Sequence, residues 1–168
     1  MTDMFCYQCQ ETMKNQGCTR RGMCGKVADV ANLQDLLIYL LKGISFWGSR
    51  GRNMGVAKAL FATITNANFD EERFVELIKE AIERRDALHV DAQARCNELH
   101  KSNCSGSGPD WAAWHPENYE MDTLLTKAVT VGITHDPNED PDLRSLRQLI
   151  VIGLKGMAAY TDHAYLVG

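Results

Sequence analysis

Cys6-Tyr7-Gln8-Cys9, followed by Cys18 and Cys24, is the stretch that decides the fold of this chain. The four cysteines have the spacing C-x2-C-x8-C-x5-C, and the surrounding residues 1–28 show neither helical nor strand periodicity. Glycines stand beside the last two cysteines, where they allow tight turns and can aim backbone N–H groups at sulfur. This pattern predicts a cysteine-rich loop that is ordered by a metal centre with four thiolate ligands.

The spacing leaves more than one kind of centre open. A zinc ribbon usually supplies two separate C-x2-C knuckles, whereas one pair here has that spacing. A single loop with four thiolates suits a cubane [4Fe–4S] cluster, and zinc or a set of redox disulfides or free thiols are the alternatives. Lys26 and Arg21 flank the cysteines, and they either raise the potential of a cluster and help a redox partner to dock or are solvated surface charge.

The bulk composition excludes several classes of protein. The chain has 168 residues, of which 45% are hydrophobic and 24% charged, with a net charge of −4. This acidic balance argues against a nucleic-acid partner, and the basic pairs Arg20-Arg21 and Arg84-Arg85 are expected to be solvated surface. The N-terminus has no secretory signal, and the longest apolar run, Leu36–Leu41, is too short to span a bilayer. We therefore expect a cytoplasmic protein without a membrane partner, whose thiols stay reduced.

The rest of the chain is predicted to be all-α, because its apolar residues recur with helical periodicity. Asn68 is the predicted N-cap of the longest helix, and Asp140-Pro141 is a typical start for the last one. The predicted helices cover residues 29–47, 54–64, 69–99, 118–131 and 141–166, and the predicted turns cover residues 48–55, 102–116 and 135–140.

An internal repeat indicates how these helices are organised. Leu33–Ile44 matches Leu146–Met157, and Lys42-Gly43 falls in the same register as Lys155-Gly156. Chance similarity between two buried helices is the alternative, but the shared Lys-Gly pair favours duplication. Each copy is expected to be the central helix of a bundle, with its glycine allowing close helix contact.

The repeat leads to a prediction of domain boundaries. The cysteine loop would cover residues 1–28, a first helical bundle residues 29–104 and a related second bundle residues 105–168. Because the first copy is followed by two further helices and the second by almost nothing, we expect the second bundle to be incomplete. Its apolar surface would then pack against the rest of a longer protein or against a partner.

Other candidate ligands are weaker. Cys96, His100 and Cys104 recur one turn apart and could bind a metal, but free thiols on a variable segment are the preferred interpretation. Trp111 and Trp114 are expected to be packing anchors rather than a cofactor cage. Four isolated histidines are expected to make ordinary surface or polar contacts, namely His89, His115, His135 and His163.

Longer segments of the sequence resemble a known family. Met4–Thr12, Gly17-Cys18-Thr19 and Gly22–Lys26 closely resemble the N-terminus of the hybrid cluster protein family, also called prismane protein or hydroxylamine reductase. The similarity is absent from about residue 85 to 130. It continues through residues 33–39, 60–70, 142–147 and 153–160.

The resemblance implies that Cys6, Cys9, Cys18 and Cys24 bind a [4Fe–4S] cluster, with a spacing similar to that of strict anaerobes. It also implies an all-helical first domain with two three-helix bundles. The family reduces hydroxylamine or nitric oxide at a second, hybrid iron–sulfur–oxygen cluster. No segment here matches the ligands of that second cluster, so we assign no catalytic residue.

The expected function is that of an electron-entry domain of an oxidoreductase, which is not catalytic by itself. The expected partners are the remaining domains of a longer protein, or an equivalent chain, and a small redox donor. The sequence is also compatible with an oligomer. The alternative function is a structural zinc domain that acts as a helical interaction module.

Overall fold

The computed structural model describes residues 3–48, 54–101 and 104–168, and the regular structure in those ranges is helical except for one isolated β-bridge. The prediction of an all-α fold is therefore confirmed. No helix in the described ranges is long and apolar enough to cross a membrane. The α-helices are α1 (Ala28–Trp47), α2 (Met54–Ala62), α3 (Glu71–His100), α4 (Asp110–Ala113), α5 (Met121–Ala128) and α6 (Pro141–Val167).

Helix α1 is the centre of the main core. It packs most extensively against α3 and also contacts α4 and α5. Its sequence is apolar on most faces, and a helix of that kind is stable only when neighbours cover it all round. The α1 side chains that are at most 5% exposed include Val30, Leu33, Leu36, Leu37, Leu40, Leu41 and Ile44.

Three predicted boundaries change in the structure. The N-cap of α3 is Asp70, whose Oδ1 accepts a hydrogen bond from the N–H of Arg73 at 3.2 Å, so the prediction of Asn68 is wrong. Asn68 instead accepts from the N–H of Asp70 at 2.9 Å and makes the turn before the cap. Helix α5 is shorter than predicted, because a similar turn from Asn118 to Glu120 precedes it. Of the predicted turn at 48–55, residues 49–53 lie outside the described ranges and residues 54–55 belong to α2.

Helix α6 begins as predicted and then packs mainly against α2. The Oδ1 of Asp140 accepts hydrogen bonds from the N–H groups of Asp142 and Leu143, at 2.9 and 3.0 Å, with Pro141 in the first turn. A cleft of about 930 Å³ separates the start of α6 from α1. One apolar face of α6 is 45% to 66% exposed, and it comprises Leu143, Leu146, Leu149, Ile150, Leu154 and Met157.

The structure at the junction of α1, α3 and α4 differs from the sequence prediction in two respects. Helix α4 lies inside a segment that was predicted to be a turn, and Arg85 of α3 is fully buried there rather than solvated. The guanidinium of Arg85 donates to the carbonyl oxygen of Trp114 at 2.7 Å and to Oδ1 of Asp86 at 2.8 Å. Arg84, the other member of the pair, is exposed as expected.

Gly43 allows the backbone of α4 to approach α1 closely. A Cβ added at Gly43 would lie 2.4 Å from the carbonyl oxygen of Trp111, whereas one added at Gly156 would meet nothing within 4 Å. The two glycines of the repeat thus have the same register but different surroundings. The predicted close contact exists at Gly43, whereas the same prediction for Gly156 is wrong among the described residues. The domain boundaries drawn from the repeat remain a prediction.

This difference predicts opposite effects of the same substitution. Gly43→Ala is expected to lower the free energy of unfolding by about 2 kcal/mol, because the new methyl group overlaps backbone that cannot rotate away. Gly156→Ala is the matched control and is expected to leave stability unchanged or to raise it by up to about 1 kcal/mol, since alanine is the better helix former. Urea denaturation of both variants measures this, and equal effects would contradict the close contact.

The end of α3 carries a disulfide. The structure joins Cys96 to Cys104, so the prediction of free thiols at these positions is wrong, and so is the expectation that the thiols of this chain stay reduced, as far as these two are concerned. Lys101, with a φ of 48°, turns the chain at the end of the helix, and the N–H of Cys104 donates to Oδ1 of Asn97 at 2.7 Å. Both sulfurs are consumed by this bond, which removes the alternative of a metal site with His100.

Candidate metal centre

Cys6 and Cys18 are held opposite each other by backbone hydrogen bonds. The N–H of Cys6 donates to the carbonyl of Cys18 at 3.1 Å, and the N–H of Cys18 donates to the carbonyl of Cys6 at 2.8 Å. Directly opposed residues of an antiparallel pair have their Cα atoms about 5.5 Å apart and their side chains on one face. The loop therefore brings two of the four predicted ligands together, although twelve positions separate them in sequence.

Cys24 lies in a tight turn that depends on glycine. The N–H of Gly22 donates to the carbonyl of Lys26 at 2.8 Å, and Gly25 adopts a φ of +94° that favours glycine. A Cβ at Gly22 would lie 3.0 Å from the sulfur of Cys24. The glycines that the sequence places beside this cysteine thus shape the turn and leave room for its thiol.

Cys9 begins a second turn in the same loop. The N–H of Thr12 donates to the carbonyl of Cys9 at 3.2 Å, and a 3₁₀ turn follows at Met13–Asn15. The hydroxyl oxygen of Thr12 is buried without a hydrogen-bond partner. A buried hydroxyl without a partner is costly, and a sulfur acceptor next to it would satisfy it.

All four cysteines of the loop are free thiols; Cys18 is buried, and the other three are half-buried. Within the described ranges, no group of three or more His, Cys, Asp or Glu side chains is placed to hold a single metal ion. In a cubane, the four thiolates bind four different irons, so the sulfurs surround a cluster instead of meeting at one point. The donor set and the hydroxyl of Thr12 fit an iron–sulfur cluster.

The loop rests on the first turn of α1. Met4, Cys18 and Ala31 form a small buried cluster, against which Cys6 and Ala28 pack. The side chain of Asn32 also donates to the carbonyl of Asp3 at 3.2 Å. The first turn of α1 therefore supports the loop that carries the four cysteines.

One buried lysine belongs to the loop, and a second buried lysine, on α6, contacts the loop. Lys26 is 1% exposed, and its Nζ donates to Oε1 of Gln34 on α1 at 2.6 Å. Lys155 of α6 is 2% exposed, and its Nζ donates to Oε1 of Gln8 at 3.1 Å and to the carbonyl of Thr63 at 3.2 Å. The sequence placed Lys26 beside the cysteines, whereas Lys155 drew notice only as part of the internal repeat. In the structure, Lys155 connects the last helix to the Cys6–Cys9 segment.

Asp35 of α1 is the acidic group that interacts with both lysines. Burial of its carboxyl group raises the pKa of Asp35 to about 7, against the attraction of Lys155 and Lys26 and a hydrogen bond from the N–H of Ile133. Burial lowers the pKa of Lys155 to about 8, while Asp35 and Cys6 act in the opposite direction and Lys26 adds to the lowering. Asp35, Lys26 and Lys155 therefore interact electrostatically with one another beside the loop.

The weaker candidates contact the protein in ordinary ways. His89 stacks on Trp47, and His163 lies edge-on to Phe61. Trp114 packs against the main core and Trp111 against Phe46, as expected of packing anchors. Arg21 is exposed, as expected of solvated surface charge, whereas Lys26 is not.

The fold and the loop together define a helical domain that presents four free cysteines on one ordered segment. A family model described as "Prismane/CO dehydrogenase family" matches residues 4–168. The chain belongs to this family.

Curated relatives agree with that assignment. The chain is 47% identical to a hydroxylamine reductase of Petrotoga mobilis, over 98% of this chain and 32% of the relative. It is 47% identical to one of Desulfitobacterium hafniense and 45% identical to one of Nitratidesulfovibrio vulgaris, over 98% of this chain and 30% and 31% of those proteins. The chain thus spans about a third of the length of these relatives.

Proposed function

We propose that this chain is the N-terminal electron-transfer domain of a cytoplasmic hydroxylamine reductase, with a [4Fe–4S] cluster on Cys6, Cys9, Cys18 and Cys24. The observation that carries the proposal is the antiparallel pairing of Cys6 with Cys18 in a loop of four free thiols. The family membership and the names of the relatives support it. A cubane with four thiolate ligands exchanges single electrons and offers no open position to a substrate.

The residues of this chain have binding and insulating roles in this function. The β-bridge holds Cys6 and Cys18 in register, and the glycine turn holds Cys24. Packing against α1 keeps Cys18 away from water, which preserves a thiolate cluster and strengthens nearby charge interactions. The hydroxyl of Thr12 is the candidate donor to a sulfur atom of the centre.

Reduction of hydroxylamine to ammonia and water breaks the N–O bond and consumes two electrons and two protons. We propose that this step takes place at a hybrid iron–sulfur–oxygen cluster in the part of the longer relatives that this chain does not cover, and that a small redox donor supplies the electrons. Nitric oxide is a second candidate substrate. The exposed apolar face of α6 and the cleft beside it are the surface against which that further part would pack.

The proposal is tested by measuring iron, sulfide and zinc in anaerobically reconstituted protein, together with its hydroxylamine reductase activity. We expect about four irons and four sulfides per chain and no activity above background. One zinc without sulfide would instead favour a structural zinc domain. Rapid hydroxylamine reduction by this chain alone would contradict the assignment of the substrate site to another part.

A further inference from the structure

The burial of two ammonium groups beside the cysteine loop requires a compensating negative charge. Lys26 and Lys155 come from different elements, and each donates to neutral oxygens, of Gln34 in the first case and of Gln8 and Thr63 in the second. Neither forms an ion pair with a carboxylate in the described part of the chain. A buried charge without a counter-ion is strongly unfavourable.

The nearby acids do not balance the two positive charges. Asp35 attracts both lysines, but burial raises the pKa of its carboxyl group and so disfavours the charged form of this acid. Asp162 is also buried on α6, yet it lies about two helical turns beyond Lys155. At most one carboxylate therefore faces two ammonium groups, and the other group of the loop that interacts with Lys155 is Cys6.

We propose that Lys26 and Lys155 are the counter-ions of the centre held by the four cysteines and that they raise its reduction potential. This inference rests on the proposed function. A cubane with four thiolates has a net charge of about −2 when oxidised and about −3 when reduced, and net charge is one of the factors that set its potential. The ammonium groups stabilise the reduced form more, because they attract the larger charge more strongly.

The structure also indicates why lysine is suited to these positions. The Nζ of Lys155 is held by one side chain of the cysteine loop, Gln8, and by a backbone carbonyl just after α2, that of Thr63. The ammonium is therefore fixed in place before any cluster binds. A fixed charge stabilises an added electron without the cost of reorienting. Lys155 therefore holds a positive charge beside the centre and is not one of its ligands.

The test compares Lys155→Met and Lys26→Met with Lys14→Met in the anaerobically reconstituted protein. Lys14 is an exposed lysine of the same loop, so it controls for charge that is screened by water. The measurement is a potentiometric titration followed by EPR, in which dithionite supplies one electron to the centre. We expect each buried-lysine variant to make reduction about tenfold less favourable, a shift of about 59 mV, and Lys14→Met to shift the midpoint much less.

Two further variants and measurements separate charge from packing. Lys155→Arg keeps the positive charge. Its midpoint potential is expected to differ from that of wild-type protein by only a small fraction of the shift caused by Lys155→Met. Thermal unfolding is expected to show that Lys155→Met destabilises the loaded protein more than the cluster-free protein. A cluster that assembles in both methionine variants with an unchanged midpoint would overturn this inference alone. Wild-type protein that takes up no iron and sulfide would overturn the proposed function itself.

Discussion

Replacing Cys18 by serine is expected to abolish retention of the [4Fe–4S] cluster. Cys18 is 3% exposed, and two backbone hydrogen bonds to Cys6 fix its position in the loop. A serine hydroxyl is not deprotonated at neutral pH and is a poor ligand for iron in such a cluster. Iron and sulfide analysis after anaerobic reconstitution and desalting is expected to fall from about four of each to less than one.

The control for this experiment uses the other pair of cysteines. The double variant Cys96→Ser, Cys104→Ser removes the disulfide at the end of α3 and is expected to retain the full content of iron and sulfide. Equal iron content in Cys18→Ser and wild-type protein would show that the cluster is not held by this loop as proposed.

Replacing Arg85 by methionine is expected to lower the free energy of unfolding by about 3 kcal/mol. The side chain of Arg85 is fully buried, and its loss leaves the carbonyl of Trp114 without its donor and Asp86 without its cation. Methionine keeps much of the packing volume, so the effect reports mainly on the lost hydrogen bonds. Chemical denaturation of the cluster-free protein measures it directly.

Arg84→Met is the matched control, because Arg84 is the preceding residue of the same helix and is exposed. Its effect on stability is expected to stay within about 0.5 kcal/mol. Similar unfolding midpoints for the two variants would contradict the role of Arg85 at the junction of α1, α3 and α4.

The sequence was sufficient for the parts of the fold that depend on local patterns. The apolar run in α1 predicted a buried central helix, because no arrangement other than full burial suits a helix that is apolar on most faces. Asp140-Pro141 predicted the start of α6, because capping and the fixed φ of proline act within a few residues. The free thiols of the loop agree with a ligand set, whereas the cluster itself remains a prediction.

The features that the sequence did not reveal depend on contacts between distant segments. A pair of arginines looks like solvated surface until the carbonyl of Trp114 is brought to one of them. The pairing of Cys96 with Cys104 depends on the turn at Lys101, and the short helix α4 depends on the room that Gly43 leaves. Lys155 is the one charge in the apolar stretch 149–159 of α6, but its neighbour Gln8 lies 147 positions away.

The presence of a [4Fe–4S] cluster in this loop is tested most directly by native mass spectrometry of the anaerobically reconstituted chain. We expect a mass increment of about four irons and four sulfides over the cluster-free protein, and we expect Cys18→Ser to lose it. An increment of a single zinc, or no increment, would contradict it, because the loop of four thiols would then be a structural metal site or a set of free cysteines.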